Sequence, residues 1–264
     1  MDYSEKLREF PTINWISLHQ NFDRQAYMNS QFFKYGLKSR LCLNKPYNSG
    51  LKEEITVIPN HFEEMIGGTQ LGITISHIKL LREWYDNTNE PYAVFLEDDI
   101  SLKSIDYWNF SWQDFFNRLP KDWRCVQLVR MENPCTVDTF NRMRLNLKVS
   151  FDYGVRWWST NGLLRRDYVK EIVEQHNPEP NVYNLWHRDV VPISENIIYL
   201  RNDPVYNFPL FWENLDQANK SITKVTNEEE YNKGLSGRNL TQYIIEHLWR
   251  TASADLNLDE AMRR

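Results

Sequence analysis

The nine residues YAVFLEDDI, positions 92–100, constrain the fold more than any other stretch of this chain. Five uncharged residues come first, a pattern typical of a central parallel strand that helices cover on both faces. Glu97, Asp98 and Asp99 follow at once. In open α/β sheets, ligands bind just outside the carboxyl ends of such strands. The stretch therefore predicts an α/β sheet with an acidic site where this strand ends.

Strand and helix patterns alternate along the rest of the chain. The predicted strands are Thr12–Leu18, Leu41–Lys45, Ile55–Pro59 and Arg124–Val129. The predicted helices are Arg24–Tyr35, Gln70–Tyr85, Asp167–His176 and Leu240–Arg250. Gly36 stands where a helix commonly ends in a left-handed residue. Strands separated by helices favour an α/β fold. No linker is evident, so we expect one domain over residues 1–264, with a regular half at about 12–132 and a loop-rich half at about 133–264.

Composition excludes several classes of function. The net charge is −5 over 264 residues, whereas nucleic-acid binding normally needs a basic face, so we expect no nucleic-acid partner. No segment approaches the roughly 18 apolar residues of a membrane helix, which predicts a soluble protein without a transmembrane segment. Cys42, Cys125 and Cys135 are odd in number and include no CxxC pair. They indicate neither a disulfide framework nor a zinc site and fit a cytoplasmic location.

The acidic triplet also suggests a bound cation. Neighbouring carboxylates disfavour one another's ionisation, so the cluster keeps its charge most easily when a cation neutralises it. Oxygen ligands suit Mg²⁺ or Mn²⁺, and such ions usually keep positions open for phosphate oxygens. A nucleotide diphosphate is therefore the expected partner of the ion. The alternative is a solvated acidic turn or a helix N-cap, where Asp is also favoured.

Ten tryptophans are more than a core of this size requires. Trp84 and Trp249 have helical spacing and are predicted to lie in the core. The stretches VRWWST and NLWHRD lie in polar context, where an aromatic face can stack on a sugar ring. Two other functions stay open, a glycoside hydrolase with two carboxylates and a non-catalytic glycan-binding protein. No Walker loop and no glycine-rich dinucleotide motif is present, so kinase and dehydrogenase functions have no support.

Two of these segments, GTQLGITISHIKLLREW and YAVFLEDDI, resemble the signature of glycosyltransferase family 25, the lipopolysaccharide and collagen galactosyltransferase-like enzymes. The shared features are a Gly, a Ser-His pair that opens a helix, and an apolar strand that ends in Glu-Asp-Asp. Further segments similar to the family follow in order: INWISLHQNFDRQAYMNSQFFKYGL, WRCVQLVRM, NGLLRRDYVKEIVE, HRDVV and PVYNFPLFWENLDQANKS. The resemblance covers about residues 12–221. The chain departs from the family at Asn14, at the single Arg24 and at Asn161-Gly162.

The resemblance implies a GT-A-type fold, with a Rossmann-like, mainly parallel mixed sheet flanked by helices. It implies a UDP-sugar donor and transfer of a hexose, galactose or glucose, with inversion at the anomeric carbon. The acceptor would be a hydroxyl of a glycan or of a lipid-linked or protein-linked glycoconjugate, as in lipopolysaccharide biosynthesis. The donor would bind the half at about 12–132 and the acceptor the half at about 133–264.

The resemblance also implies roles for residues on the donor side. Asp99 is the first choice for a direct ligand of Mn²⁺ or Mg²⁺, and Asp98 is the second ligand and reaches the ribose. Glu97 supports the nucleotide side. His77 and Arg24 are expected near the nucleotide, although a core or capping role for His77 and a solvated Arg24 are the structural alternatives.

On the acceptor side, Asp189 aligns with a family aspartate and is the predicted general base. Its alternative role is an ion pair with the neighbouring Arg188. Glu213 and Asp152 are the reserve candidates for the base. His187 is a candidate for a further metal ligand.

Overall fold

A computed structural model of the chain describes residues 1–58, 62–130, 144–150, 160–185, 194–199, 203–214, 216 and 228–263, with the backbone alone at 62–66, 148–150 and 228–239. The strands are β1 Ile13–Leu18, β2 Ser39–Asn44, β3 Thr56–Ile58, β4 Tyr92–Leu96, β5 Ile100–Ser101, β6 Cys125–Val129, β7 Lys148–Ser150, β8 Gly162–Arg165, β9 Val182–Asn184 and β10 Val205–Glu213. The α-helices are α1 Tyr3–Lys6, α2 Phe22–Tyr35, α3 Phe62–Asn87, α4 Trp112–Asn117, α5 Arg166–His176, α6 Ser194–Tyr199, α7 Glu228–Ala252 and α8 Leu258–Ala261. Single turns of π- or 3-10 helix lie at Tyr47–Leu51, Lys52–Glu54, Lys103–Tyr107 and Ser253–Asp255.

One large mixed sheet forms the centre of the fold. Its strand order is β2-β1-β4-β8-β6-β10-β5, β7 pairs with β10, and β3 and β9 form a separate small sheet. Strands β2, β1 and β4 are parallel, and so are β6 and β10. Strand β8 runs antiparallel to both of its neighbours, β4 and β6. The predicted α/β class with a mainly parallel sheet is confirmed. The prediction of parallel neighbours for β4 is correct on the β1 side and wrong on the β8 side.

Strand β4 contributes to hydrophobic cores on both faces of the sheet. Val94 and Leu96 pack in a core with side chains of α2, α4, α7 and α8. Ala93 and Phe95 point the other way, into a core with side chains of α3, α5 and α6. Successive side chains of a strand point to opposite faces, so a strand buried on both sides must be apolar at every position. This explains the continuous apolar run before Glu97.

The ends of the helices follow local signals only in part. Helix α2 ends at the predicted place, because Gly36 adopts a left-handed conformation with φ 66°. Helix α3 was predicted to begin at Gln70, whereas the helical segment starts at Phe62 and is interrupted at Gly67, which has φ 75°. The regular part of α3 thus begins close to the predicted residue. Helix α7 extends well beyond the predicted Leu240–Arg250 in the N-terminal direction.

The predicted burial of two tryptophans is also confirmed. Trp84 and Trp249 are buried in the two cores, as their helical spacing predicted. Cys42 and Cys125 are buried, and burial raises the pKa of the Cys42 thiol to about 12. Cys135 lies outside the described residues.

Among the parts of the chain that the structure describes, none of the helices combines the length and the apolar content needed to cross a membrane.

Candidate functional site

The acidic triplet lies at the edge of the sheet where β1, β4 and β10 end, which we call the carboxyl edge. Strands β1 and β4 are parallel neighbours, with Trp15 opposite Leu96. The residues that follow this pair in each strand therefore meet at the same edge. The Oγ atom of Ser17, near the end of β1, donates a hydrogen bond of 2.6 Å to Oδ2 of Asp98. Parallel pairing thus brings together two residues that are far apart in the sequence.

Asp98 is held by donors from the turn that follows β1 and from the first turn of α2. Nη1 of Arg24 donates to Oδ1 of Asp98 at 2.7 Å, and Nδ2 of Asn21 donates to Oδ2 at 3.2 Å. The exposed fractions of the Arg24 and Asp98 side chains are 13% and 8%. Asn21 is the N-cap residue of α2, but its side chain makes no capping hydrogen bond. Instead, three donors including Ser17 fix the carboxylate of Asp98 in one orientation.

Asp99 lies beside the same guanidinium but is held differently. It is 4% exposed, and its Oδ2 is 3.7 Å from Nη1 of Arg24. Its backbone carbonyl accepts a hydrogen bond of 2.7 Å from the N–H of Asn214, the residue after β10. Burial by itself would lower the pKa of Arg24, but the carboxylates of Asp99 and Asp98 outweigh burial and raise that pKa. Arg24 therefore stays a cation between the two aspartates.

Tyr27, one turn further along α2, is a site residue that sequence reasoning missed. Burial raises the pKa of its phenol, the nearby polar groups of Ser101 and Asn214 lower it, and the carboxylates of Asp99 and Asp216 raise it further, with a net increase. A neutral hydroxyl thus lies within the electrostatic influence of Asp99. Its position three residues after Arg24 on a helix was the available signal, since residues at this spacing share a helix face.

Glu97 points away from its two acidic neighbours, towards α3 and the start of β8. Nε2 of His77 is 3.1 Å from Oε1 of Glu97, and Oγ1 of Thr160 donates to the same oxygen at 2.5 Å. Thr160 Oγ1 also lies 2.7 Å from His77 Nε2. The backbone N–H of Glu97 donates to Oδ1 of Asn161 at 2.6 Å. His77 is 3% exposed, so the structure places it in a buried polar network with Glu97.

A second glutamate, Glu195 on α6, belongs to the surroundings of this network. Burial raises its pKa, the nearby carboxylate of Glu97 raises it further, and His77 lowers it. Oγ of Ser194 donates to Oε2 of Glu195 at 3.2 Å. No motif in the sequence marks Glu195. It is brought here by the packing of α6 against α3.

The donor set at the carboxyl edge is suited to a cation that shares its coordination with a ligand. In the described part of the chain, no group of three or more His, Cys, Asp or Glu side chains is arranged to hold a metal ion. The oxygens of Asp98 already accept the hydrogen bonds from Ser17, Asn21 and Arg24. A hard cation such as Mg²⁺ commonly takes one or two protein carboxylates and completes its shell with water and phosphate oxygens. Metal binding by Asp99 and by Asp98 stays a prediction.

The candidates for a general base are only partly visible. Asp189 and Asp152 lie outside the described residues, as does His187, the candidate for a further metal ligand. Glu213 is the last residue of β10 and is 1% exposed. It pairs with Ile100 of β5, and its N–H donates to Oε1 of Gln242 at 2.8 Å. The structure therefore brings Glu213 to the same edge of the sheet as Asp99.

Replacing Arg24 by alanine is expected to destabilise the protein by about 3 kcal/mol, because it leaves the buried Asp98 without its cation. Arg40→Ala is the matched control. Arg40 pairs with Glu90 at 3.3 Å, but its side chain is 49% exposed, so its loss should cost less than about 1 kcal/mol. Urea unfolding of both variants measures the difference. Equal destabilisation by the two substitutions would contradict a buried, structurally important pair.

No protein-family model matches the chain, and no curated protein matches its sequence. Membership of glycosyltransferase family 25 accordingly stays a prediction, which rests on the quoted motifs.

Proposed function

We propose that this protein is a metal-dependent inverting glycosyltransferase that moves a hexose from a UDP-sugar to a hydroxyl of a glycan or glycoconjugate. The observation that supports the proposal best is the position of Asp98 and Asp99, buried side by side at the carboxyl end of β4. Arg24 orients Asp98, and the carboxylate of Asp99 lies next to it. Ligand sites of α/β sheets form at this edge. A GT-A-type fold, a cytoplasmic location and a role in lipopolysaccharide or other glycan biosynthesis form part of the same proposal.

The donor would bind along the carboxyl edge. Asp99 would hold Mn²⁺ or Mg²⁺, and this ion would offset the negative charge of the UDP diphosphate. Asp98, fixed by Ser17 and Arg24, would accept a hydrogen bond from a ribose hydroxyl. Because its orientation is already set before the donor binds, little side-chain entropy would be lost. Glu97, fixed by His77, would border the nucleotide.

Transfer then requires a general base and the displacement of UDP from the anomeric carbon by the acceptor oxygen. Asp189, in the half assigned to the acceptor, would remove the proton from the attacking hydroxyl. The oxygen forms a bond to the anomeric carbon on the face opposite to UDP, and UDP leaves with the electrons of the broken bond. Attack from the opposite face inverts the configuration. Glu213 and Asp152 are the alternative bases, and Glu213 is the one whose position at this edge is described.

UDP is expected to raise the melting temperature of the protein when Mn²⁺ or Mg²⁺ is present and to have little effect in EDTA. A ligand that binds only the folded state stabilises it by mass action, and Asp99 and Asp98 repel a diphosphate unless a cation lies between them. A thermal-shift series with UDP, UDP-galactose and UDP-glucose, each with and without Mn²⁺, measures this effect.

Uridine, which lacks the diphosphate, is the matched control ligand and should give the same small shift with and without Mn²⁺. Equal shifts by UDP in Mn²⁺ and in EDTA would contradict the proposed metal dependence of UDP binding. No shift by any of the nucleotides would contradict the donor site. Hydrolysis of a nitrophenyl glycoside without nucleotide would indicate a glycoside hydrolase instead.

A further inference from the structure

A second candidate site lies at the edge of the sheet opposite to the acidic triplet. It is an open cleft of about 660 Å³, which we call the aromatic cleft. Its lining includes Tyr85, Tyr92, Phe116, Trp123, Arg165 and Arg166. Tyr92 is the first residue of β4 and pairs with Arg165, the last residue of the antiparallel β8. Since β4 has five residues, the cleft and the triplet are separated by roughly 16 Å of strand.

Three aromatic rings form one wall of the aromatic cleft. The rings of Tyr92 and Phe116 are stacked, with centroids 4.5 Å apart and an angle of 30° between their planes. Trp123 meets both rings edge-on, at 6.0 Å from Tyr92 and 5.7 Å from Phe116. Tyr92 and Phe116 are partly exposed. Their positions are fixed by these contacts, so the wall offers a preformed apolar surface to a ring-shaped ligand.

The other wall of the aromatic cleft carries three cations and one carboxylate, that of Asp167. Arg165 pairs with Asp167 at 3.2 Å, and Lys170 pairs with Glu174 at 3.6 Å. Arg166 instead donates from Nη2 to the carbonyl of Tyr85 at 2.6 Å and from Nη1 to Oγ1 of Thr88 at 3.5 Å. It lies 4.5 Å from the centroid of the Tyr85 ring and 5.4 Å from that of the Trp84 ring. Within the described residues, no carboxylate forms an ion pair with Arg166.

The charge on Arg166 therefore attracts an external anion. The residue is half-buried, which weakens the solvation of its charge. Its hydrogen bond to Tyr85 and its position over the ring hold the group in place. A fixed, planar guanidinium that keeps further N–H groups available can bind a carboxylate or a phosphate through two parallel hydrogen bonds.

We propose that the aromatic cleft binds an acidic sugar residue. The apolar face of the sugar ring lies against the aromatic wall, and its carboxylate or phosphate group pairs with Arg166. The combination of one aromatic wall and a guanidinium without an ion pair to any described carboxylate matches such a ligand better than it matches a neutral sugar or a simple anion. The site is separate from Asp98 and Asp99, so it stands or fails independently of the proposed transferase activity.

Titration of the wild-type protein with four probes, followed by NMR, tests the ligand class. Glucuronate and glucose 6-phosphate are expected to bind at least about tenfold more tightly than glucose, which lacks the charge, and than inorganic phosphate, which lacks the ring. Equal affinity for glucose and glucuronate would refute the role of the cation. Phosphate binding as tight as glucose 6-phosphate binding would refute the role of the ring. Absence of binding by both acids would overturn the site.

Substitution of Arg166 tests the location. Arg166→Gln should weaken the binding of glucuronate about tenfold, since it removes the charge but keeps a planar polar group. Arg250→Gln is the control, because Arg250 is exposed, pairs with Glu246 and lies outside the lining of the cleft, and it should change the affinity less than about twofold. If the glutamine variant does not fold, Arg166→Lys replaces it in this test. It keeps the charge and should therefore retain the preference for acids over glucose. Unchanged affinity in a folded Arg166→Gln protein would place the ligand elsewhere.

Discussion

Asp99→Asn is expected to lower the rate of sugar transfer at least about a hundredfold while the protein remains folded. The substitution keeps the shape of the side chain and removes the negative charge that would bind the cation. Arg24 keeps its closer carboxylate partner, Asp98, at 2.7 Å, so the buried ion pair survives. Turnover with a UDP-sugar and Mn²⁺, compared with the melting temperature of the same variant, measures both parts of the expectation.

Asp86→Asn provides the matched control for this substitution. Asp86 is an exposed residue near the end of α3, and it pairs with Arg82 four residues earlier. The same chemical change there should leave transfer unaltered, because an exposed pair contributes little. Turnover of Asp99→Asn at the wild-type rate would disprove the metal assignment. A large loss of stability would show that Asp99 supports the fold, and the activity of that variant would then carry no information about the metal.

The parts of the fold that were predictable are those fixed by local sequence. The apolar run in β4 predicts burial on both faces of the sheet, and the three acidic residues that follow it predict where the strand ends. Gly36 ends α2 because a glycine adopts the left-handed conformation at little cost. These signals act within a few residues, so a single sequence contains them.

The parts that were not predictable depend on contacts between distant segments. Strand β8 enters the sheet between β4 and β6 in the opposite direction, and its short sequence does not encode that partner choice. Thr160 contacts His77 from 83 residues away, and Glu195 reaches the same network on a short helix. Such contacts are decided by tertiary packing.

The way in which the acidic triplet is neutralised also depends on residues that are distant in the sequence. Sequence reasoning treated the three carboxylates as one cluster that needs an external cation. The structure divides them, because Asp98 turns towards Arg24 while Glu97 turns towards His77 and Thr160. An internal guanidinium, 74 residues away in the sequence, already compensates Asp98. Asp99 shares that guanidinium at the longer distance of 3.7 Å, so a substitution there is the sharpest test of the metal.

Asp189→Asn is expected to lower kcat by about 10²- to 10⁴-fold, the usual contribution of a positioned general base. UDP binding in the presence of Mn²⁺ should stay intact, because the proposed donor contacts come from Asp98 and Asp99 at the end of β4. Asparagine keeps the size of the side chain but cannot accept the proton of the acceptor hydroxyl at neutral pH. Single-turnover assays with a saturating UDP-sugar, together with the thermal shift by UDP, separate chemistry from donor binding.

Glu213→Gln distinguishes the two leading candidates for the base. If Asp189 removes the proton, the glutamine variant should retain most of its kcat, whereas Asp189→Asn should not. The opposite result would assign the base to Glu213, whose burial at the end of β10 already places it at the carboxyl edge. Loss of UDP affinity in Asp189→Asn, with turnover reduced in proportion, would make Asp189 a donor-site residue or a partner of Arg188. If both variants retain wild-type kcat, Asp152 becomes the next residue to test.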